Sequence, residues 1–195
     1  MTTTLLQTDG EKLLVALRSV LEAKGVVTTQ EIAERIAITD AGSPAQGARM
    51  VARAWVDPAY RAQMLADGTA AAEALGIPMR GAPPLGVLEN TPTLHNVVVC
   101  TLCSCYPRAV LGYPPFWFKS AAYRARAVRD PRGLLREWGT TLPEAVQVQV
   151  VDSTADYRWM VLPMRPAGTE GWSEEKLAAI VREGDMIGVT VPSAG

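Results

Sequence analysis

The sequence predicts an α+β protein, in which a helical N-terminal arm over residues 1–75 is followed by a mixed α/β layered domain over residues 76–195. In the first part, apolar residues recur at helical spacing and alanine is frequent, whereas short β-branched runs alternate with helical segments in the second part. A loop with three cysteines follows the Pro- and Gly-rich junction between them. The 195 residues, 48% of them hydrophobic, suffice for one domain with an added arm.

The arm begins with two predicted helices. The first covers residues 10–24, and Gly25 is a plausible C-terminal stop. The second opens at Thr28, which forms a capping-box pattern with Glu31, and continues to about Ile36. The apolar face of the first helix consists of Leu13, Leu14, Leu17, Val20 and Leu21.

The rest of the arm is predicted to form two or three short helices over residues 45–75, after a loop over residues 40–44. Asp57, which precedes a proline, and Asp67 are natural N-cap residues, so we place the helix breaks there. Because the arm is too rich in alanine to form a large core alone, we expect it to wrap around a partner chain.

The second part is predicted to alternate between strands and helices after an irregular connection over residues 76–92. The first predicted elements are a buried strand at 97–99 that runs into Cys100, a helix over 121–128 and a helix that begins near Arg132. A half-buried strand that carries Val146, Val148 and Val150 and a strand over 157–162 follow. The last elements are a helix that is capped by Ser173 and ended by Gly184 and a final strand over 186–191.

Composition excludes several classes of function. A formal net charge of −1 argues against a nucleic-acid-binding protein. No apolar run reaches the roughly 18 residues of a membrane span, and the N-terminus lacks the features of a signal peptide. We therefore expect a cytoplasmic protein with no membrane or nucleic-acid partner. A basic run is expected to contact a partner subunit and consists of Arg124, Arg126, Arg129 and Arg132.

The only cysteines are Cys100, Cys103 and Cys105, within one six-residue segment. An odd, clustered set is a poor disulfide framework and indicates a metal-binding or catalytic site in a reducing compartment. All three sulfurs can turn inward only if the backbone curls into a tight loop, which places the amides of Ser104 and Cys105 between them. Thiolates suit first-row metals in soft sites.

Three other interpretations of the cysteines stay open on this evidence. They could be thiols without a chemical role. Cys100 and Cys103 could form a thioredoxin-like redox pair, although that motif normally opens a helix and Pro107 follows too soon. The three could also bind zinc together with His95, although ligands separated by one residue fit tetrahedral zinc poorly. We interpret His95 as structural.

The segment Cys-Thr-Leu-Cys-Ser-Cys over residues 100–105 resembles the metal claw of nitrile hydratase α subunits. The likeness covers roughly residues 86–192. Further segments that resemble the family are Glu89-Asn90-Thr91-Pro92, Val110-Leu111-Gly112, Pro114-Pro115, Tyr123-Arg124-Ala125-Arg126, Pro131-Arg132, Val161-Leu162-Pro163 and Arg165-Pro166-Ala167-Gly168-Thr169-Glu170-Gly171.

The resemblance implies a low-spin trivalent metal held by the sulfurs of Cys100, Cys103 and Cys105 and by the amide nitrogens of Ser104 and Cys105. Thr101 favours cobalt (Co3+) over iron. It also implies that Cys103 is oxidised to a sulfinate and Cys105 to a sulfenate. The reaction would be hydration of a nitrile to an amide, with the nitrile polarised by the metal. Either a hydroxide on the metal or the sulfenate oxygen of Cys105 would attack the carbon.

The resemblance also concerns the substrate pocket, to which we assign Trp117, Arg108 and Thr101. Arg108 and Phe118 replace a tryptophan and a tyrosine that are common in the family. Gly81-Ala82-Pro83 replaces a segment that commonly holds a glutamine and a glutamate. These departures favour a larger, polar nitrile, as in the toyocamycin type of nitrile hydratase.

The family works with one or more β subunits, whose arginines would hydrogen-bond the oxidised sulfurs, and it receives its metal from an activator protein. The resemblance therefore implies that this chain alone is nearly inactive. Two alternatives are the metal-bearing subunit of thiocyanate hydrolase, which carries a similar claw, and a non-catalytic thiol or zinc-binding module.

Overall fold

A computed structural model describes residues 8–194 of the chain. The N-terminal segment from which we inferred that a signal peptide is absent lies outside these residues. The chain divides into two compact units, one up to Thr39 and one from Asp40 onward. No helix among residues 8–194 is long and apolar enough to cross a membrane.

The first unit contains helix α1 (Asp9–Ala23) and nearly all of helix α2 (Thr29–Asp40). Both helices were predicted, although α2 extends beyond Ile36. The capping box is confirmed, because the backbone N–H of Thr28 donates to Glu31 and that of Glu31 donates to the Thr28 hydroxyl. Neither helix contains a buried residue, and the predicted apolar face of α1 is exposed to solvent, Leu13 by 70% and Leu14 by 64%.

The second unit begins with α3 (Pro44–Val56), α4 (Pro58–Ala66) and α5 (Gly68–Ala74). The predicted breaks are confirmed. Asp57 accepts hydrogen bonds from the first-turn amides of α4, and Asp67 accepts one in α5. These three helices supply core residues of the second unit, such as Met50 and Met64. The boundary between the two compact units therefore falls after Thr39 in the sequence, whereas the predicted boundary at residue 75 follows the change in composition.

Four strands form two parallel pairs. The strands are β1 (Leu85–Glu89), β2 (Leu94–Val99), β3 (Gln147–Asp152) and β4 (Arg158–Leu162). Strand β1 pairs with β4, and β2 pairs with β3 in a register that sets Val99 beside Asp152. Because both strands of a parallel pair run the same way, the carboxyl ends of β2 and β3 lie at the same edge.

The remaining helices are α6 (Arg108–Leu111), α7 (Phe116–Lys119), α8 (Ala121–Arg129), α9 (Pro131–Glu137), α10 (Glu174–Ala178) and α11 (Glu183–Ile187). The predicted break between α8 and α9 is confirmed, with Asp130 accepting a hydrogen bond from the Gly133 amide. The fully buried large side chains come from both helices and strands and include Met50, Met64, Ile77, Leu111, Phe118, Met160, Met186 and Ile187.

The prediction of an irregular connection over residues 76–92 is wrong for β1. Gly86 belongs to this Pro- and Gly-rich segment, but it lies in the strand, where the Trp159 ring of β4 packs against it. A Cβ atom at Gly86 would come within 2.4 Å of that ring. This glycine is required by a tertiary contact and not by a turn.

The predicted final strand over 186–191 is also wrong, and α10 ends at Ala178 instead of near Gly184. Helix α11 forms because the buried carboxylate of Asp185 accepts hydrogen bonds from the Arg182 amide at 2.8 Å and from the Thr190 hydroxyl at 2.5 Å. Gly188 follows in the left-handed conformation, with φ of 82°. The burial of Asp185 and its hydrogen-bond partners cannot be predicted from the alternation of apolar residues in the sequence.

Gly188 is the position where we expect a substitution to be most costly for the fold. A Cβ atom there would lie 1.9 Å from the Asn96 carbonyl oxygen, whereas Gly168, at φ of 79°, has open space around it. A left-handed non-glycine residue costs about 1–2 kcal/mol. We predict that Gly168→Ala lowers the free energy of unfolding by that amount, and Gly188→Ala by more than about 3 kcal/mol.

Denaturant unfolding monitored by circular dichroism measures both values. Equal losses in the two variants would contradict the close packing of Gly188 against β2.

Candidate metal centre

The three cysteines lie in the loop that connects β2 to α6. Cys100 directly follows β2 and is buried, Cys103 is exposed at the tip of the loop, and Cys105 is buried again. The loop therefore starts at the carboxyl edge of the β2–β3 pair, where sheets that contain parallel strands commonly bind ligands.

The loop brings the three sulfurs together. The Sγ atoms of Cys100 and Cys103 are 3.4 Å apart, those of Cys103 and Cys105 are 3.1 Å apart, and all three lie within 4.8 Å of one another. Among the described residues, no other group of His, Cys, Asp and Glu side chains is placed to hold a metal ion.

Two of the three sulfur–sulfur distances fit a metal with ligands at right angles. With metal–sulfur bonds near 2.3 Å, sulfurs at 90° lie about 3.3 Å apart and tetrahedral ones about 3.8 Å apart. The distances of 3.4 and 3.1 Å are nearer to the first value. Soft thiolates are suitable donors for such a metal.

Backbone amides also point into the loop. The Cys103 amide donates to the Cys100 sulfur at 3.2 Å, and the backbone amides of Ser104 and Cys105 contribute to a lowered pKa of Cys103. That the Ser104 and Cys105 amides would hold a metal together with the sulfurs stays a prediction. In the absence of an ion, these N–H groups stabilise negative charge on sulfur.

The local environment sets the order in which two of the thiols ionise. Hydrogen bonds from Cys105, from Cys100 and from the two amides lower the pKa of exposed Cys103. Burial raises the pKa of Cys105 to about 12, and its contact with the Cys103 sulfur adds to the increase. Of these two thiols, Cys103 at the tip of the loop therefore ionises first.

Side chains from distant parts of the chain hold the loop. The Asp152 carboxylate accepts hydrogen bonds from the Thr101 amide and hydroxyl, and Arg124 donates to the Thr101 carbonyl. At the other end, the buried Tyr106 hydroxyl donates to Glu183 of α11 at 2.6 Å. Sequence reasoning missed Asp152 and Glu183. Asp152 could have been suspected because it follows a predicted strand, but the pairing of that strand was unknown.

The other residues assigned to the substrate pocket differ in their exposure to solvent. Arg108 is exposed at the start of α6, with its guanidinium 5.5 Å from the Tyr113 ring centre. Half-buried Trp117 packs on Tyr123 and Trp138. Trp117 also lines a groove of about 610 Å3 between α8 and α9, in which no cysteine takes part.

His95 is buried and bonded at both ring nitrogens, which supports our structural interpretation of it. Its Nε2 lies 2.7 Å from the Gly188 carbonyl oxygen, which can only accept, so Nε2 carries the hydrogen. Its Nδ1 accepts from the Asn90 amide at 3.2 Å. Burial lowers the pKa of His95. Both ring nitrogens are therefore already used, and His95 does not join the cysteines as a fourth metal ligand.

Most of the basic run makes contacts within the chain. Arg126 forms ion pairs with Asp130 and Glu137. Arg124 binds the cysteine loop, and Arg132 donates to the backbone carbonyls that precede β3. Arg129 and Lys119 are exposed. The run therefore has structural roles besides the expected contact with a partner.

Comparison with known proteins identifies the family. The family model described as nitrile hydratase, alpha chain, matches residues 8–190. The chain belongs to this family. It is also 49% identical over 179 residues to the α subunit of the low-molecular weight cobalt-containing nitrile hydratase of Rhodococcus rhodochrous, a match that covers 91% of this chain and 86% of that one.

Solved structures of two kinds share the fold. A recombinant thiocyanate hydrolase with partially modified cobalt centres superposes with a TM-score of 0.90 at 42% identity, over 97% of this chain and 92% of that one. A double mutant of the Fe-type nitrile hydratase from Comamonas testosteroni Ni1 gives a TM-score of 0.83 at 43% identity, over 96% and 93%. The nitrile hydratase family comprises hydro-lyases, and the predicted mixed helix and strand fold is confirmed.

The ionisation order predicts which cysteine of this family member reacts first. In the reduced, metal-free chain at neutral pH, iodoacetamide should modify Cys103 at least about tenfold faster than Cys100 or Cys105, because Cys103 is exposed and its pKa is lowered. Peptide mass spectrometry at short reaction times measures the three rates.

In denaturant the three cysteines should react at similar rates, which is the control. Faster modification of Cys105 in the folded chain would contradict the burial that we describe.

Proposed function

We propose that the chain is the metal-carrying α subunit of a nitrile hydratase and that it binds cobalt. The observation that carries the proposal is the cluster of three sulfurs within 4.8 Å of one another at the carboxyl edge of β2. The identity to a cobalt-containing α subunit and Thr101 support cobalt. The similarity to an Fe-type enzyme makes iron the alternative.

Cys100, Cys103 and Cys105, together with the amide nitrogens of Ser104 and Cys105, would hold the metal. When bound, the metal supplies a Lewis acid that polarises the carbon–nitrogen triple bond of the substrate. Hydration then adds oxygen to the nitrile carbon and hydrogen to the nitrogen, which gives the amide.

We further propose that Cys103 is oxidised to a sulfinate and Cys105 to a sulfenate. Exposure of Cys103 and its lowered pKa favour its oxidation. The oxygen on Cys105 would then be a group of this chain that can contact the nitrile carbon.

The oxidised sulfurs need hydrogen-bond donors from outside the chain, and we propose that a β subunit provides them. The exposed tip of the loop and the exposed apolar face of α1 support such a partner. We also propose that an activator protein delivers the metal and that the complex works in the cytoplasm, where free thiols persist.

The proposal predicts the composition of the chain when it is purified with the partners encoded beside it. Metal analysis should find about one cobalt per chain. Peptide mass spectrometry should find two added oxygens on Cys103 and one on Cys105. Cys105→Ser, which removes one ligand, should lower both the cobalt content and the nitrile turnover by at least about tenfold.

The proposal would be contradicted if the complex, co-expressed with its activator, contained zinc, or if it contained three unmodified thiols and no metal. Either result would favour the non-catalytic thiol or zinc-binding module.

The second candidate is the metal-bearing subunit of a thiocyanate hydrolase, which the TM-score of 0.90 supports. Both substrates have a carbon–nitrogen triple bond, so the cysteine loop does not discriminate between them.

Exposed Arg108, at the start of α6 and three residues after Cys105, leads us to propose a larger, polar nitrile as the substrate.

Steady-state kinetics of the complex should give the highest kcat/KM for large polar nitriles such as nucleoside nitriles. Arg108→Trp should shift the ratio of kcat/KM values by about tenfold toward small aliphatic nitriles, because a polar contact is replaced by an apolar ring. Arg108→Lys, which keeps the charge, is the matched control.

A strong preference of the unmodified complex for small aliphatic nitriles would refute the substrate proposal. Faster turnover of thiocyanate than of any nitrile would instead favour the second candidate.

A further inference from the structure

Asp152 contacts the cysteine loop without being one of its sulfur ligands. It is the last residue of β3, and both of its carboxylate oxygens accept hydrogen bonds from Thr101. One accepts from the Thr101 amide at 3.0 Å, and the other accepts from the Thr101 hydroxyl at 2.5 Å. One side chain thus fixes both the backbone and the side-chain rotamer of the residue that follows Cys100.

Strand pairing fixes Asp152 relative to the loop. Val99 is paired with Asp152, and the Ser153 amide donates to the Val99 carbonyl at 2.7 Å. The ladder therefore holds the residue before Cys100, and the Asp152 carboxylate holds the residue after it. Cys100 is thus restrained from both sides by one strand that carries no cysteine.

Helix α8 completes these restraints. Arg124 Nη1 donates to the Thr101 carbonyl at 3.3 Å, and the Tyr123 hydroxyl donates to the Val98 carbonyl at 2.6 Å. The amide, hydroxyl and carbonyl of Thr101 are all bonded to groups of the second unit. This arrangement forms from the protein's own residues and does not depend on an ion.

We propose that Asp152 is a positioning residue for the metal, holding Thr101 so that the loop over residues 100–105 is already in its metal-binding conformation before the ion arrives. This inference rests on the proposed function, since it takes the three cysteines as ligands. A loop ordered in advance does not lose conformational freedom at the moment of binding, so its affinity for the ion is higher. Groups that orient metal ligands typically change metal affinity by about 10–100-fold.

The carboxylate at residue 152 suits this role because it can accept two hydrogen bonds at once. A charged acceptor also forms stronger bonds than a neutral one. Thr101 matches it with two donors on one residue. Serine would preserve both donors, whereas valine has nearly the same shape and preserves only the amide. These substitutions therefore separate the hydrogen bond from the shape of the side chain.

The test uses the full reduced chain and cobalt(II) as the probe. Binding is followed by the thiolate-to-cobalt charge-transfer absorption during titration against a chelator. We expect Asp152→Ala to weaken the apparent affinity by about tenfold or more and Thr101→Val by about five- to tenfold, with Thr101→Ser within about twofold of the unmodified chain. Asp156→Ala is the matched control, because this exposed aspartate lies on the connection between β3 and β4.

A second measurement needs no metal. In the metal-free chain, hydrogen exchange at the Thr101 amide should be slow, and Asp152→Ala should accelerate it at least about tenfold, because its acceptor is lost. Circular dichroism and thermal melting establish that each variant is folded. Thr101→Val keeps the test decisive if Asp152→Ala does not fold.

The outcomes separate this inference from the proposed function. If the unmodified chain shows no thiolate-to-cobalt absorption even when the activator protein is present, the cysteines are not the cobalt ligands and the proposed function fails. If the unmodified chain binds cobalt and folded Asp152→Ala binds it equally well, only the positioning role is overturned. If Asp152→Ala weakens binding but neither Thr101→Val weakens it nor Asp152→Ala accelerates exchange at the Thr101 amide, Asp152 does not act through Thr101, which also overturns the inference.

Discussion

Parallel pairing of β2 with β3 places Val99 beside Asp152, and the cysteine loop begins at the next residue. The geometry of the site depends on this pairing. A parallel pair needs a long crossover connection, and here that connection contains the loop and helices α6 to α9. The same segment therefore supplies the sulfurs and also Tyr123 and Arg124, which return to hold β2 and Thr101.

Burial differs sharply within the six residues of the loop. Cys100 and Cys105 are buried, so the ends of the loop are anchored in the core, while Cys103 reaches solvent between them. Amide donors around Cys103 stabilise its thiolate, and burial disfavours the thiolate of Cys105. In the reduced chain, a metal ion held by all three thiolates, as proposed, would remove this difference. Ion binding would then be coupled to deprotonation.

The two units of the chain bury very different amounts of apolar surface. Helix α1 has a well-formed capping box and helical periodicity, yet its leucines are exposed and none of its residues is buried. In the second unit, α3 and α4 bury Met50, Val51 and Met64 in a core shared with the strands. Local signals therefore suffice to form both sets of helices, but among residues 8–194 only the second set has its apolar face buried.

The sequence by itself determined the helix starts and breaks, because N-cap residues such as Asp57 and Asp67 act within one turn of the chain. It also determined the cysteine loop, because the three cysteines lie within six residues and a tight local curl brings their sulfurs together. Tertiary structure decided the rest. Gly86 lies in a strand because Trp159 packs on it. Helix α11 forms because the buried Asp185 carboxylate accepts hydrogen bonds from Arg182 and Thr190. Asp152 lies at the site because β3 pairs with β2. Those effects depend on residues distant in sequence, whose proximity is fixed only when the core is packed.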